Sequence, residues 1–229
     1  MKLCIYAIFF SLITATLPSA EKPIEKRLQD RAFPSIFMAW ARADNRPHLT
    51  KLQNIAQHDL AFVSTGALQL KWDHIHDGLA TTFTQDSIIQ ANTIRKKLLS
   101  INPNLILLVE IRYRDAWDGF IPKDHPWWMR NEKGERVKGW EEGRFYKLNY
   151  TLSTYRNHVA QRAKAAVETG VVDGIMLDWW WDDNDRLALI KQIRKGMGKK
   201  ALILANANER KIPLTAPYIN GLFMECTQT

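Results

Sequence analysis

The sequence predicts an α/β fold of the (β/α)8 TIM-barrel type that stops after its sixth strand. Six short apolar runs alternate with helical patterns, which is typical of buried parallel strands covered by helices. No glycine-rich phosphate loop follows the first apolar run, which disfavours an open nucleotide-binding sheet. Polar and aromatic residues collect where several runs end, the place at which both architectures carry their sites.

The predicted elements follow one another in regular order. The strands are expected at residues 36–40, 60–64, 105–111, 174–179, 201–205 and 221–226, and the helices at 49–57, 86–99, 153–168 and 185–195. A closed barrel of this type has eight strands, whereas Thr229 follows directly after the sixth. We therefore expect a truncated chain that lacks the last two βα units.

The first twenty residues have the pattern of a secretory signal peptide. Lys2 precedes an uncharged run at residues 3–17, and Pro18-Ser19-Ala20 supplies the small residues of a cleavage site. The run is short for a membrane-spanning helix, although an uncleaved anchor is the alternative. We expect a secreted or periplasmic protein without an integral membrane span after cleavage. Residues 21–32 are expected to form a linker and residues 33–229 the barrel domain.

Composition narrows the kinds of partner. The formal net charge is +8, but the basic residues are scattered and form no stripe, so a solvated exterior is favoured over a nucleic-acid surface. If Cys4 leaves with the signal, Cys226 is the only cysteine, and the fold depends on its apolar core rather than on a disulfide. Nine tryptophans exceed what core packing needs and point to a binding surface.

Asp178 is the sharpest candidate for a catalytic group. The alternation of a strand puts Ile175 and Leu177 on one face and Gly174, Met176, Asp178 and Trp180 on the other. In a barrel the second set faces the axis, so Asp178 would lie inside the barrel where its fourth strand ends. The alternatives are a helix cap or a structural carboxylate.

Glu225 repeats this pattern at the end of the sixth predicted strand. It shares a face with Gly221 and Phe223. Strands about 4.8 Å apart would bring Asp178 and Glu225 to within about 5–9 Å, the range that glycosidases use for paired carboxylates. The alternative is a buried carboxylate that pairs with an arginine.

Further polar and aromatic residues are candidates for substrate binding. Flat aromatic rings suit the C–H faces of sugars, and polar side chains can hydrogen-bond hydroxyls or one another. The segment 113–150 is long for a βα connection and is expected to be a tryptophan-rich lid, in which some rings form a small core and others face the cleft. The candidates are Trp40, Glu110, Arg112, Trp127, Trp180 and Asn206. His74 and His76 are a weak metal pattern, and we expect no metal and no cofactor.

Several motifs resemble secreted glycoside-hydrolase-like barrels. They are His125-Pro126-Trp127-Trp128 with Gly134, the stretch 147–151, Asp173-Gly174 with Asp178, and Asn220-Gly221 with Glu225. The chain looks like bacterial barrels related to endo-α-1,4-polygalactosaminidases and, more distantly, to α-galactosidase-type barrels. The resemblance implies that Asp178 and Glu225 are the catalytic pair. The chitinase pattern DGxDxDxE is only partly present, since Met176 and Trp180 replace two of its acids, which disfavours a substrate-assisted mechanism.

These patterns lead to one functional hypothesis and one alternative. The hypothesis is an exported glycoside hydrolase that acts on a carbohydrate polymer or oligomer, with Asp178 as nucleophile or base and Glu225 as general acid. The alternative is a barrel that binds glycans without cleaving them. Because two strands are missing, we expect the fragment by itself to be inactive.

Overall fold

A computed structural model describes residues 21–31, 35–40 and 48–225. The expected signal peptide and Cys226 lie outside the described residues. None of the helices in the described ranges combines the length and apolarity needed to span a bilayer.

Six parallel strands form one sheet, in the order β1-β2-β3-β6-β7-β8. They are β1 (Phe37–Ala39), β2 (Leu60–Val63), β3 (Ile106–Glu110), β6 (Gly174–Leu177), β7 (Leu202–Asn206) and β8 (Gly221–Phe223). Two short antiparallel strands, β4 (Asp115–Ala116) and β5 (Tyr146–Lys147), lie in the long segment between β3 and β6. All six predicted strands of the barrel are present, so the predicted fold class is confirmed.

Five α-helices in the described part of the chain accompany the sheet. They are α1 (Ile24–Gln29), α2 (Lys51–Ala56), α3 (Gln85–Ile101), α4 (Ser153–Glu168) and α5 (Asn184–Met197). Thr50 begins α2 with a capping box, because its side chain accepts from the Gln53 N–H while the Gln53 side chain accepts from the Thr50 N–H. The four predicted helices correspond to α2 to α5.

The strand alternation separates two apolar layers. The residues that face outward pack beneath the helices and include Ala61, Val63, Leu107, Val109, Ile175, Leu177, Ile203 and Ala205. The residues that face inward form the barrel interior, namely Phe62, Ile106, Leu108, Met176 and Leu204. The same alternation turns toward the barrel axis the side chains at the ends of these strands, namely Glu110, Asp178, Asn206 and Glu225.

The sheet curls strongly. Phe37 and Phe223 lie on the two edge strands, yet their ring centres are only 5.1 Å apart, and both rings also contact Phe62. Within the described residues, no strand pairs β1 with β8. The outer face of β8 leaves Leu222 and Met224 about half exposed, at 48% and 54%. The structure is therefore a six-stranded, incompletely closed barrel.

The expected linker at residues 21–32 contains α1, and this corrects the sequence prediction. Ile24 and Leu28 pack against the barrel interior, and the buried Arg27 donates to the Leu105 carbonyl at 2.7 Å and to Asp173 at 2.9 Å. So short a helix has little stability of its own and depends on such tertiary contacts. It closes the barrel at the amino-terminal ends of the strands.

Asp173 is the acceptor that anchors this end of the barrel. It also accepts from Arg95 at 2.8 Å and from the Leu107 N–H at 2.8 Å. Burial alone would raise the pKa of Asp173, but the bonds and charges of Arg27 and Arg95 outweigh it and hold the pKa below its ordinary value. The first acid of the partial chitinase pattern is therefore structural, at the end opposite Asp178.

Candidate active site

A cavity of about 490 Å³ opens where the strands reach their carboxyl ends. This is the face on which enzymes of the barrel type carry their active sites. The cavity is lined by Trp40, Arg112, Asp115, Trp140, Asp178, Trp179 and Glu225. The structure thus brings both predicted catalytic carboxylates to one cavity.

A single side-chain amide joins the two carboxylates. Asn206, which is 1% exposed, donates from Nδ2 to Asp178 Oδ1 at 2.8 Å and to Glu225 Oε2 at 3.1 Å. The two N–H bonds of an amide diverge by about 120°, and ideal geometry at these two distances corresponds to acceptor oxygens about 5 Å apart. Asn206 was predicted to bind substrate, but its position makes it the spacer between the two acids.

Asp178 is held in a defined orientation. Its Oδ1 accepts from Asn206 and also from the Trp179 backbone N–H at 2.9 Å. Its Oδ2 accepts no hydrogen bond from the residues that the structure describes, so this oxygen is free for a substrate. Burial raises the pKa of Asp178, the two hydrogen bonds lower it, and the nearby charge of Glu225 raises it; the net direction is upward.

The predicted role of Trp180 in the cavity is wrong, and the reason is local. Trp179 adopts a left-handed backbone with φ of 54°, which breaks the strand alternation directly after Asp178. As a result the Trp179 side chain lines the cavity, with the Arg114 guanidinium 4.4 Å from its ring centre. Trp180 is 0% exposed, packs in the outer core and donates from Nε1 to Thr215 at 2.9 Å.

Trp40, which the sequence makes a candidate for substrate binding, lines the cavity. It follows β1 with φ of 54° and rests edge-on against Phe62 and Phe223, at 4.9 Å and 5.9 Å between ring centres. These contacts fix its ring above the apolar barrel interior. Trp40 therefore gives the cavity a rigid aromatic wall.

Glu110 and Arg112 hold each other, one of the two arrangements the sequence allowed. The Arg112 Nη2 lies 3.1 Å from Glu110 Oε1 and 3.3 Å from Oε2. Burial raises the pKa of Glu110 to about 7, and the charges of Asp178 and Asp115 add to this, while Arg112 and the Trp40 side chain oppose it. Arg112 also lies 3.5 Å from Asp115 and 4.5 Å from the centre of the Phe145 ring.

Asp115 is a site residue that the sequence analysis missed. Its buried side chain accepts from Arg114 at 2.7 Å and from the Trp140 backbone N–H at 3.0 Å. It therefore fixes the lid tryptophan, which is 44% exposed, beside the cavity. The only sequence signal was the pair of arginines just before it.

The predicted lid is present, but Trp127 does not line the cavity. Its ring packs 5.0 Å from Tyr155 and 4.6 Å from His158, both on α4. Trp128 is also buried, whereas Trp140 lines the cavity. Both predicted uses of the lid rings occur, on different rings. Across the described ranges, no group of three or more His, Cys, Asp or Glu side chains could hold a metal ion.

Comparison with known proteins supports the fold. No family model and no curated protein matches the sequence. Among solved structures, the maltogenic α-amylase AmyB from Thermotoga neapolitana is similar at a TM-score of 0.54 and 14% identity, over 82% of this chain and 48% of that one.

Two α-galactosidases are similar to the same degree. TtGalA from Thermus thermophilus has a TM-score of 0.51 at 15% identity, over 82% of this chain and 40% of that one. AgaA from Geobacillus stearothermophilus has a TM-score of 0.56 at 11% identity, over 83% and 30%. The chain thus spans less than half the length of these proteins, and at such identities the likeness concerns the fold alone. The chain has the barrel-type fold found in these glycoside hydrolases.

Proposed function

We propose that this chain carries the active site of a glycoside hydrolase, with Asp178 and Glu225 as its catalytic carboxylates. The observation that carries the proposal is the Asn206 amide, which donates to both acids at once. Two carboxylates held at a fixed separation beside an open cavity are what hydrolysis of a glycosidic bond requires. In a purely structural acid pair we would expect the protein to provide a donor for Asp178 Oδ2, and none of the described residues does so.

The separation favours a retaining reaction. Carboxyl groups about 5–5.5 Å apart leave no room for a water between an acid and a base. In this reaction Asp178 attacks the anomeric carbon while Glu225 protonates the leaving oxygen, which gives a glycosyl ester on Asp178. Glu225 then removes a proton from a water molecule, which attacks the anomeric carbon and frees Asp178.

The aromatic walls of the cavity support a carbohydrate ligand. Trp40, Trp140 and Trp179 line the same cavity as the two acids. Such rings pack well against the C–H faces of pyranoses, and indole N–H groups can bind hydroxyls. The Arg114 guanidinium packs against the Trp179 ring, and the Trp140 backbone N–H donates a hydrogen bond to Asp115. These contacts restrict the motion of both tryptophans.

The proposals for the substrate class and for the place where the protein acts rest on patterns in the sequence. The resemblance to endo-α-1,4-polygalactosaminidases and α-galactosidase-type barrels favours an oligosaccharide or polysaccharide. The signal-like pattern in residues 1–20 favours a secreted or periplasmic site of action.

The test is sugar release by carboxamide variants. In protein that contains the complete barrel, Asp178→Asn and Glu225→Gln should each lower the release of reducing sugar from a polysaccharide panel by at least about a hundredfold, because each removes an acid of the pair. Asp86→Asn and Glu168→Gln are matched controls on exposed helical positions and should keep wild-type rates. Wild-type rates in both site variants would refute the assignment of Asp178 and Glu225 as the catalytic pair. Calorimetric binding of a glycan without product from the wild type would favour a non-catalytic barrel.

A further inference from the structure

Glu110 is a buried acid that the proposed reaction does not use. It ends β3 on the inward face, and its side chain is 7% exposed. Although Arg112 Nη2 lies 3.1 Å from Glu110 Oε1, its N–H groups are not directed at that oxygen, which accepts no hydrogen bond. A buried carboxylate oxygen without a donor is costly when charged.

The charges around Glu110 do not balance. Three acids, Glu110, Asp115 and Asp178, share two guanidinium groups, those of Arg112 and Arg114. One of the three therefore carries a charge without a matching cation, and retaining one proton removes this excess.

The hydrogen bonds indicate which acid keeps the proton. Asp115 accepts from Arg114 and from the Trp140 N–H. Asp178 accepts from Asn206 and from the Trp179 N–H. Each of these acids thus has two hydrogen-bond donors that stabilise its anion, whereas Glu110 accepts one hydrogen bond, from Arg112 to Oε2, and its buried Oε1 accepts none.

A small void adjoins the same group. It measures about 10 Å³ and is lined by Glu110, Asp178, Asp115 and Arg112, among others. This is about the space that one water occupies, and the polar lining offers the partners that a buried water needs. A water there would connect the Glu110 and Asp178 carboxyl groups.

We propose that Glu110 keeps a proton on Oε1 and, through one water in this void, acts as a positioning residue that keeps Asp178 ionised. The Glu110 hydroxyl donates to the water, and the water donates to the Asp178 carboxylate. The proton stays on Glu110 throughout. The role of Glu110 in catalysis rests on the proposed function, whereas the protonation of Glu110 does not depend on it.

Loss of the proton would reverse the effect on Asp178. An ionised Glu110 no longer donates and adds a second negative charge beside Asp178. The groups that act on Glu110 agree with a retained proton near neutrality: burial, Asp178 and Asp115 raise its pKa, while Arg112 and the Trp40 side chain lower it, and the balance is about 7.

The test is a carboxyl titration by ¹³C NMR on protein labelled in Asp and Glu. Glu110→Gln, Glu110→Ala and Asp178→Asn assign the two resonances, and Glu168→Gln on the exposed end of α4 is the control. We expect Glu110 to titrate near neutrality. Glu110→Gln, which is neutral and keeps a donor, should leave the Asp178 midpoint at its wild-type value, whereas Glu110→Ala should raise it by about one pKa unit.

Three results would overturn the proposal. They are a Glu110 midpoint among those of ordinary glutamates, equal Asp178 midpoints in Glu110→Gln and Glu110→Ala, or an Asp178 midpoint in Glu110→Gln above that of the wild type at acidic pH. If the alanine variant fails to fold, the glutamine variant decides through the last of these. Because the titration needs no substrate, a complete barrel that releases no sugar yet titrates as expected would refute the proposed function alone.

Discussion

Replacing Glu110 by glutamine should change how stability depends on pH. Burial raises the pKa of Glu110 from its ordinary value of 4.5 to about 7, so the folded chain binds this proton more tightly than the unfolded chain. The associated stability is fully present below pH 4.5 and is lost as the pH rises through about 7. A glutamine at this position has no proton to lose and therefore removes this dependence.

The size of the effect follows from the displacement of the pKa. At about 1.36 kcal/mol per pKa unit, the shift from 4.5 to about 7 corresponds to about 3 kcal/mol. Between pH 4.5 and pH 8 the free energy of unfolding of the wild type should therefore fall by about 3 kcal/mol more than that of Glu110→Gln. Contributions from every other group cancel in this difference.

Urea unfolding followed by tryptophan fluorescence measures this at a series of pH values. Glu168→Gln is the control, because its carboxyl is exposed at the end of α4. The wild-type curve should fall away from that of Glu110→Gln between pH 5 and pH 8, while the control follows the wild type. Parallel curves for the wild type and Glu110→Gln would refute the proposed buried, proton-holding carboxyl.

Three further substitutions test separate parts of the structure. Asp173→Asn leaves Arg27 and Arg95 without their buried anion and should lower the free energy of unfolding by about 3–5 kcal/mol near neutral pH. This difference from the wild type should shrink only as the pH falls below 3.8, because the pKa of Asp173 is lowered in the folded chain. Gly174→Ala places a Cβ 2.0 Å from the Leu202 carbonyl oxygen and should cost at least about 2 kcal/mol, whereas Gly66→Ala, which meets nothing within 4 Å, should be close to neutral in the same urea assay. Asn206→Ala removes a donor from both acids and should lower sugar release by about a hundredfold, with Asn184→Ala on the exposed first turn of α5 as control; equal rates would show that the bridge is not needed.

The strand alternation predicted the acidic centre because it is a local property of extended chain. Asp178 lies two residues beyond the buried, inward-facing Met176, and Glu225 lies two residues beyond the half-buried, inward-facing Phe223. Parallel strands then bring their ends to one face, so two distant acids meet without further assumptions.

The same rule fails where the backbone leaves the strand. The left-handed Trp179 reverses the order of the two tryptophans after Asp178, so Trp180 enters the core and Trp179 enters the cavity. No composition signal marks such a residue, because tryptophan rarely adopts positive φ and is held there by its surroundings. The Tyr113 hydroxyl donates to the Trp179 carbonyl at 2.7 Å, a tertiary contact that sequence alone does not reveal.

Tertiary contacts also account for the other differences. The first helix is short and polar, and its docking depends on the ion pair between Arg27 and Asp173, which are far apart in the chain. Asp115 acts through the backbone of Trp140, whose position depends on the fold of the lid. The sequence therefore predicts groups placed by strand periodicity well, and groups placed by long-range contacts poorly.

If Asp178 is the nucleophile of a retaining glycosidase, as we propose, a glycosyl group trapped on the protein will be attached to Asp178. Glu225→Gln protein that contains the complete barrel is incubated with a panel of dinitrophenyl glycosides, quenched, digested with trypsin and analysed by mass spectrometry. Because these substrates need no acid for departure, the first step proceeds while the second is slowed.

We predict one glycosyl unit on the tryptic peptide 165–186, which contains Asp178, and none after the further change Asp178→Asn. A glycosyl unit on peptide 98–112, which contains Glu110, or steady turnover without any labelled peptide, would contradict the assignment of Asp178 as nucleophile.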